Sequence, residues 1–220
     1  VVGPTLCMGL AFLVLRQPEA PISIAVFPFL EGSGHGTDKS PLGIGMVEEM
    51  ILRLRTSQRL HVIALSSVLA YDASADDPVR AGRALGVDYV LSGRVAANPD
   101  AVRLALRLQD TGSGFDIWSS QAEVLPTELI TRLPAFASAI GHRLDNGLSR
   151  VEAENLKRPF TNSAKAWARY ARGRADMLQP GRSAFQRTEE DLRAATVLDP
   201  RFWLAFTRLA ELHAEAADRA

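Results

Sequence analysis

The sequence predicts an α/β fold, a mixed β-sheet with flanking helices, followed by an all-α segment. Three observations predict it. Gly82 to Val95 (GRALGVDYVLSGRV) shows a helix stopping at a glycine and a strand starting at once. Upstream, two apolar runs of strand length bracket a segment of helical period, a β-α-β pattern whose right-handed crossover implies parallel strands. Downstream, alternating strands give way at Thr127 to a period of 3.6 that continues to the end of the chain.

Val1 to Leu15 is uncharged and mostly apolar, and Arg16 ends it. The run is shorter than the roughly 20 residues that span a bilayer. No basic region precedes it and no small-residue cleavage motif follows it, so residues 1–16 are expected to be a truncated transmembrane helix. A signal-peptide core and a buried core helix are the alternatives. Residues 17–22, with Pro18 and Pro21, read as a linker.

Ser23 to Phe29 reads as a strand buried on both faces, with Pro28 near its end. Leu42 to Leu54 carries Ile44, Val47, Ile51 and Leu54 at helical spacing, and Leu60 to Leu65 reads as a second strand. Ser66 or Ser67 is expected to cap a short helix through Tyr71. Asp77 as N-cap with Pro78 at the first helical position opens another, which Gly86 closes in the left-handed conformation. Val87 to Val95 is the third strand. Asn98-Pro99-Asp100 marks a turn, and Val102, Leu104, Leu106 and Leu108 alternate with polar residues. After the turn Thr111 to Gly114, Phe115 to Val124 returns, so the last three strands form an antiparallel meander.

Leu129, Ile130, Leu133, Phe136, Ala137, Ile140, Leu144, Leu148 and Val151 form one helical stripe, which Pro134 is expected to break into a short and a longer piece. Lys157 to Thr161 is the expected domain boundary, separating an α/β domain over 23–157 from a helical segment over 158–220. Ala164 to Leu178, Ser183 to Leu198 and Phe202 to Ala217 read as three helices. Their small and large residues repeat in the tetratricopeptide pattern. Pro200 falls at the closing proline, Ala195 at the small position of the second helix, and Phe206, Leu209 and Ala210 on the next first helix, with Gly173 one slightly lengthened period before Ala210.

Composition narrows the function. With 25 basic and 25 acidic residues there is no basic surplus to grip a phosphate backbone, so this region is expected to bind no nucleic acid. The single Cys7 excludes an internal disulfide. Glu31 to Gly36 follows a strand and precedes a helix, as a dinucleotide fingerprint does. Its glycines run G-x-G-x-G, however, and Thr37 to Pro41 separates them from the helix N-terminus, so a solvated loop with a loop histidine, His35, is expected. His35, His61, His142 and His213 lie far apart; His142 with Asp145 is expected to be a surface pair. Glu48-Glu49, Asp76-Asp77 and Glu189-Glu190 are expected at helix starts or on solvated faces. No catalytic, cofactor-binding or metal site is expected.

The order SIAVFPF, a glycine-rich loop, LGIGMVEEMILRL, LHVIALSSVLAY, DPVRAGRALGVDYVLSGRV and VRLALRLQDTGSGFDIWSSQ, then a tetratricopeptide unit, resembles the TolB-N-terminal-like extracytoplasmic domain of bacterial membrane-anchored signalling proteins. The resemblance covers about Ser23 to Ser149. It implies a single membrane helix before the domain and, before that, a cytoplasmic effector: a winged-helix DNA-binding domain or a class III nucleotide cyclase. LGIGMVEEM, SSVLAY and DPVRAGRALGV resemble the winged-helix kind more.

It further implies a non-catalytic sensing or docking region in the periplasm, anchored in the inner membrane, with a protein or peptide partner and a possible homo-oligomer. An envelope scaffold without an effector is a third class. Candidate partner contacts are Arg169, Arg172, Asp176 and Arg208 on the first helices of the repeats, which line the concave side of such arrays. Trp118 at the end of the meander is expected in the core, with ligand contact as the alternative.

Overall fold

A computed structural model describes residues 20–32, 41–70, 77–179 and 181–218. The expected membrane helix over 1–16, Cys7, most of the linker, His35 and most of the glycine-rich loop lie outside the described residues. Among those described, no helix is long and apolar enough to cross a membrane.

Six strands form one mixed sheet: β1 (Ile22–Val26), β2 (Leu30–Glu31), β3 (Leu60–Val62), β4 (Tyr89–Ala97), β5 (Val102–Asp110) and β6 (Asp116–Val124). The order is β3-β1-β4-β5-β6, with β1 parallel to β3 and β4, and β4-β5-β6 antiparallel. The strand expected over Ser23 to Phe29 ends at Val26. Phe27, Pro28 and Phe29 step away, and the chain returns as β2 to pair with Arg94 and Val95 farther along β4. Gly93 makes room for this step, because a Cβ there would stand 3.1 Å from the Phe29 ring and 2.6 Å from Leu106.

Helices α1 (Pro41–Leu54) and α4 (Leu129–Leu144) cover one face of the sheet, and the short α2 (Leu65–Ala70) and α3 (Pro78–Ala84) lie on the other. The expected strand Leu60 to Leu65 stops at Val62, and Leu65 already opens α2. Ser66 and Ser67 therefore sit inside that helix and do not cap it. Helix α3 begins and ends as its residues dictate: Asp77 accepts from the Arg80 amide, Pro78 occupies the first turn, and Gly86 takes φ +69 just beyond the end. The strand that follows is tied at its start by Ser23 and Asp88, each accepting hydrogen bonds from the other.

Pro134 does not break α4, which runs unbroken from Leu129 to Leu144. The proline removes one hydrogen bond in the second turn, and burial of Leu133, Pro134 and Ala137 outweighs that loss. The stripe ends earlier than expected. Asp145 closes α4, Ser149 and Glu152 form a capping box that starts α5 (Arg150–Lys157), and Val151 faces solvent.

Three further helices follow: α6 (Ala164–Met177), α7 (Arg182–Leu198) and α8 (Trp203–Ala217). Helices α6 and α7 approach closely at Gly173, where a Cβ would lie 3.2 Å from Leu192, and the Thr188 hydroxyl donates to the Gly173 carbonyl. The apolar core does not stop at Lys157. It runs from Ile24 and Val26 through Leu133 and Leu156 to Trp167, Tyr170, Leu192 and Phe202.

Candidate functional site

Two stripes of α1 are buried. Val47, Met50, Ile51 and Leu54 belong to the core under the sheet. On the other side, Gly45, Glu48, Glu49 and Arg53 recur at helical spacing and meet the C-terminal helices. Gly45 is the point of closest approach: a Cβ there would stand 2.5 Å from the Ala171 Cβ and 2.9 Å from its Cα. With both helices so close, the longer polar side chains on the same stripe are enclosed.

Glu48 and Glu49 are thus buried, not solvated as the sequence suggests. The Glu48 carboxylate accepts from the Tyr170 hydroxyl and from Arg174 Nε, both at 2.5 Å on α6, and pairs with Arg208 Nη2 at 2.7 Å on α8. Glu49 accepts from Trp167 Nε1 at 2.5 Å and from Arg53 Nε at 3.0 Å. Arg53 is fully buried. It donates to the carbonyls of Leu156 and Arg158 and stacks 4.4 Å from the centre of the Phe160 ring. Burial raises the Glu49 carboxyl above its ordinary pKa of 4.5, against the opposing pull of Arg53 and the Trp167 hydrogen bond. Burial, and then the Glu48 charge, lifts the Tyr170 phenol well above its ordinary 10.0. These groups act as a bonded junction between the sheet layer and the C-terminal helices, the α6–α7 hairpin with α8 packed beside it.

A second tie lies at the end of α4. Asp145, expected to pair with His142 on the surface, is buried instead and accepts from Arg59 Nη1 at 2.6 Å and from the Gly147 amide at 2.9 Å. His142 remains exposed. The helix stops at Asp145, so its side chain turns back toward the loop between α1 and β3.

The expected partner contacts are all engaged within the chain. Arg169 and Arg172 both pair with Asp191 of α7, at 2.8 and 3.4 Å. Asp176 accepts from Arg187, and Arg208 pairs with Glu48 and Glu211. Trp118 is half-buried, opposite Leu108 in the sheet and edge-on to Phe136 at 6.4 Å. The structure brings Arg208 into the α1 junction, turns the half-exposed Arg169 and Arg172 toward Asp191 of α7, and sets Trp118 on the edge strand β6. Among the described residues, no cluster of three or more histidine, cysteine or acidic side chains is placed to hold a metal.

No protein-family model matches the chain. Over 105 residues it is 33% identical to a putative adenylate cyclase 3 of Rhizobium meliloti, a match covering 48% of this chain. The chain spans about a fifth of that relative, 18% of its length. Among solved structures it is similar to TolB from Acinetobacter baumannii, at 17% identity over 59% of this chain and 29% of that one, with a TM-score of 0.41. It is likewise similar to the C-terminal domain of LpoB from Escherichia coli, at 16% identity over 53% of this chain and 93% of that one, with a TM-score of 0.37. Lipoprotein GNA1162 from Neisseria meningitidis is 22% identical over 59% of this chain and 100% of that one, with a TM-score of 0.38.

Proposed function

We propose that the chain is the docking and sensory region of a membrane-anchored bacterial signalling protein, exposed outside the cytoplasm, and that the chemistry is performed by another part of that protein. The observation that carries this reading is the curated relative, a putative adenylate cyclase several times longer than the stretch it shares with this chain. That relative favours a nucleotide cyclase as the effector. The likeness of LGIGMVEEM, SSVLAY and DPVRAGRALGV to the winged-helix kind keeps a DNA-binding effector as the second reading.

The physical support is the use made of the polar side chains. Glu48, Glu49, Arg53 and Asp145 are held in structural bonds, which suits a rigid binding body more than a reacting site. In this proposal the sheet part over 23–157 and the helical part over 158–220, built as a tetratricopeptide-type array, work as one body. Partner contact falls on the half-exposed Arg169 and Arg172.

The test is deletion of residues 23–218 from the full-length protein. Cyclic AMP formation should persist and lose its response to envelope conditions; for a winged-helix effector the same would hold for promoter binding. An unchanged response, or conversion of ATP by the isolated 220-residue chain, overturns the proposal.

A further inference from the structure

Helices α6 and α8 are built to one pattern. Ala210 follows Gly173 by 37 residues, and the same step carries Arg169 and Asp176 of α6 to Phe206 and His213 of α8. On α6 this stripe meets α7. Arg169 pairs with Asp191, a Cβ at Gly173 would lie 3.2 Å from Leu192, and Asp176 accepts from Arg187, so α7 runs antiparallel along it. On α8, His213 turns back to Phe185 and Glu189 of α7, but Phe206 and Ala210 are exposed. Trp203, Ala214 and Ala217, also exposed, extend these two into an apolar line at helical spacing. The exposed Val197 and Leu198 at the end of α7 precede it in the chain, and they add to the uncovered apolar surface.

We infer that this face of α8 is the docking site for an amphipathic α-helix of the protein partner, laid antiparallel on α8 as α7 lies on α6. The α6–α7 contact defines what that helix carries. Gly173 and Ala210 both leave room for close approach, so a leucine in the place of Leu192 suits either. Arg169 and Arg172 call for the acid Asp191, whereas their counterparts Phe206 and Leu209 call for an apolar residue. Toward the end of α8 the exposed acids are Glu211, Glu215 and Asp218, while Arg208 is turned inward to Glu48. The start of an antiparallel partner helix is therefore basic. This inference rests on the docking role proposed above for its partner, yet peptide binding is read without any effector, so either can fail alone.

The probe is a synthetic peptide of the α7 sequence, Arg182 to Leu198, carrying Asp191→Leu. It supplies the apolar contact and keeps Arg182 and Arg187 for the acidic end. Added to the 220-residue chain and to the full-length protein, both in mild detergent, it should bind with a Kd of roughly 10–100 µM and gain helicity as it does so. The unaltered α7 peptide, which sets a carboxylate against Phe206, should bind at least about tenfold more weakly. Ala210→Glu should abolish binding and leave the urea midpoint unchanged, since residue 210 is exposed. Val151→Glu, at an exposed apolar position on α5, should leave binding unchanged. No binding of the altered peptide, equal binding of both peptides, or binding indifferent to Ala210→Glu overturns the inference. So does loss of binding in the full-length protein alone, whose own chain then covers the face, or a dimer of the 220-residue chain that Ala210→Glu dissociates, which gives the face to a second copy.

Discussion

Helix α1 buries two faces built from opposite materials. The face toward the sheet is Val47, Met50, Ile51 and Leu54, held by shape and by exclusion of water. The face toward the hairpin is Gly45, Glu48, Glu49 and Arg53, held by a small number of directed bonds. The first tolerates rearrangement, because neighbouring side chains can shift to fill lost volume. The second does not, because each buried charge has taken its partners from two or more separate elements. Packing supplies cohesion at one face, and bonding specifies geometry at the other.

The contrast is broken most severely at Arg53. Arg53→Met leaves the Glu49 carboxylate buried without its cation and is expected to cost about 3–5 kcal/mol in urea unfolding. The double variant Glu49→Leu/Arg53→Met should recover only part of that loss, since the Leu156 and Arg158 carbonyls still lack their donor. Full recovery would show that the carbonyl bonds contribute nothing.

On the apolar face, Ile51→Val should cost about 0.5–1.5 kcal/mol in the same measurement. A cost equal to that of Arg53→Met would erase the distinction between the faces.

The smallest expected effect is a dependence on alkaline pH. The Tyr170 phenol is raised in the folded state, so its contribution is fully present below the ordinary 10.0 of a phenol. That contribution is lost as pH rises toward the folded value, because the unfolded chain releases its proton first. Tyr170→Phe should therefore flatten the fall in melting temperature between about pH 9 and pH 11. An identical fall in both proteins would remove Tyr170 from the account.

Much of the fold was legible in the sequence because local chemistry and tertiary demand agree. Asp77, Pro78 and Gly86 bound α3 by their own backbone preferences, and the alternation of Val102 to Leu108 is what a strand with one buried side requires. The early end of α4 was also encoded, in the S-x-x-E pattern of Ser149 and Glu152, although the apolar stripe running past it is the louder signal. β2 is two residues long, too short for any period to declare itself.

The junction was hidden for a different reason. A stripe of glutamate and arginine on a helix has the same pattern whether it faces water or a second set of charges. What distinguishes the cases is the supply of donors from Trp167, Tyr170, Arg174 and Arg208, more than 100 residues away along the chain. The local hint was Gly45 on the same stripe, a residue of low helix propensity that permits close approach.

Arg53 also determines how load travels. Its guanidinium fastens the carbonyls on either side of Lys157, where the chain leaves α5 for the hairpin, and the Phe160 ring lies over it. That connector therefore has no slack at its origin. A pull on the C-terminal helices is not taken up by the connector straightening. It arrives at α1 as a tug on a rod already seated against the sheet, so hairpin and sheet move under tension as a single lever.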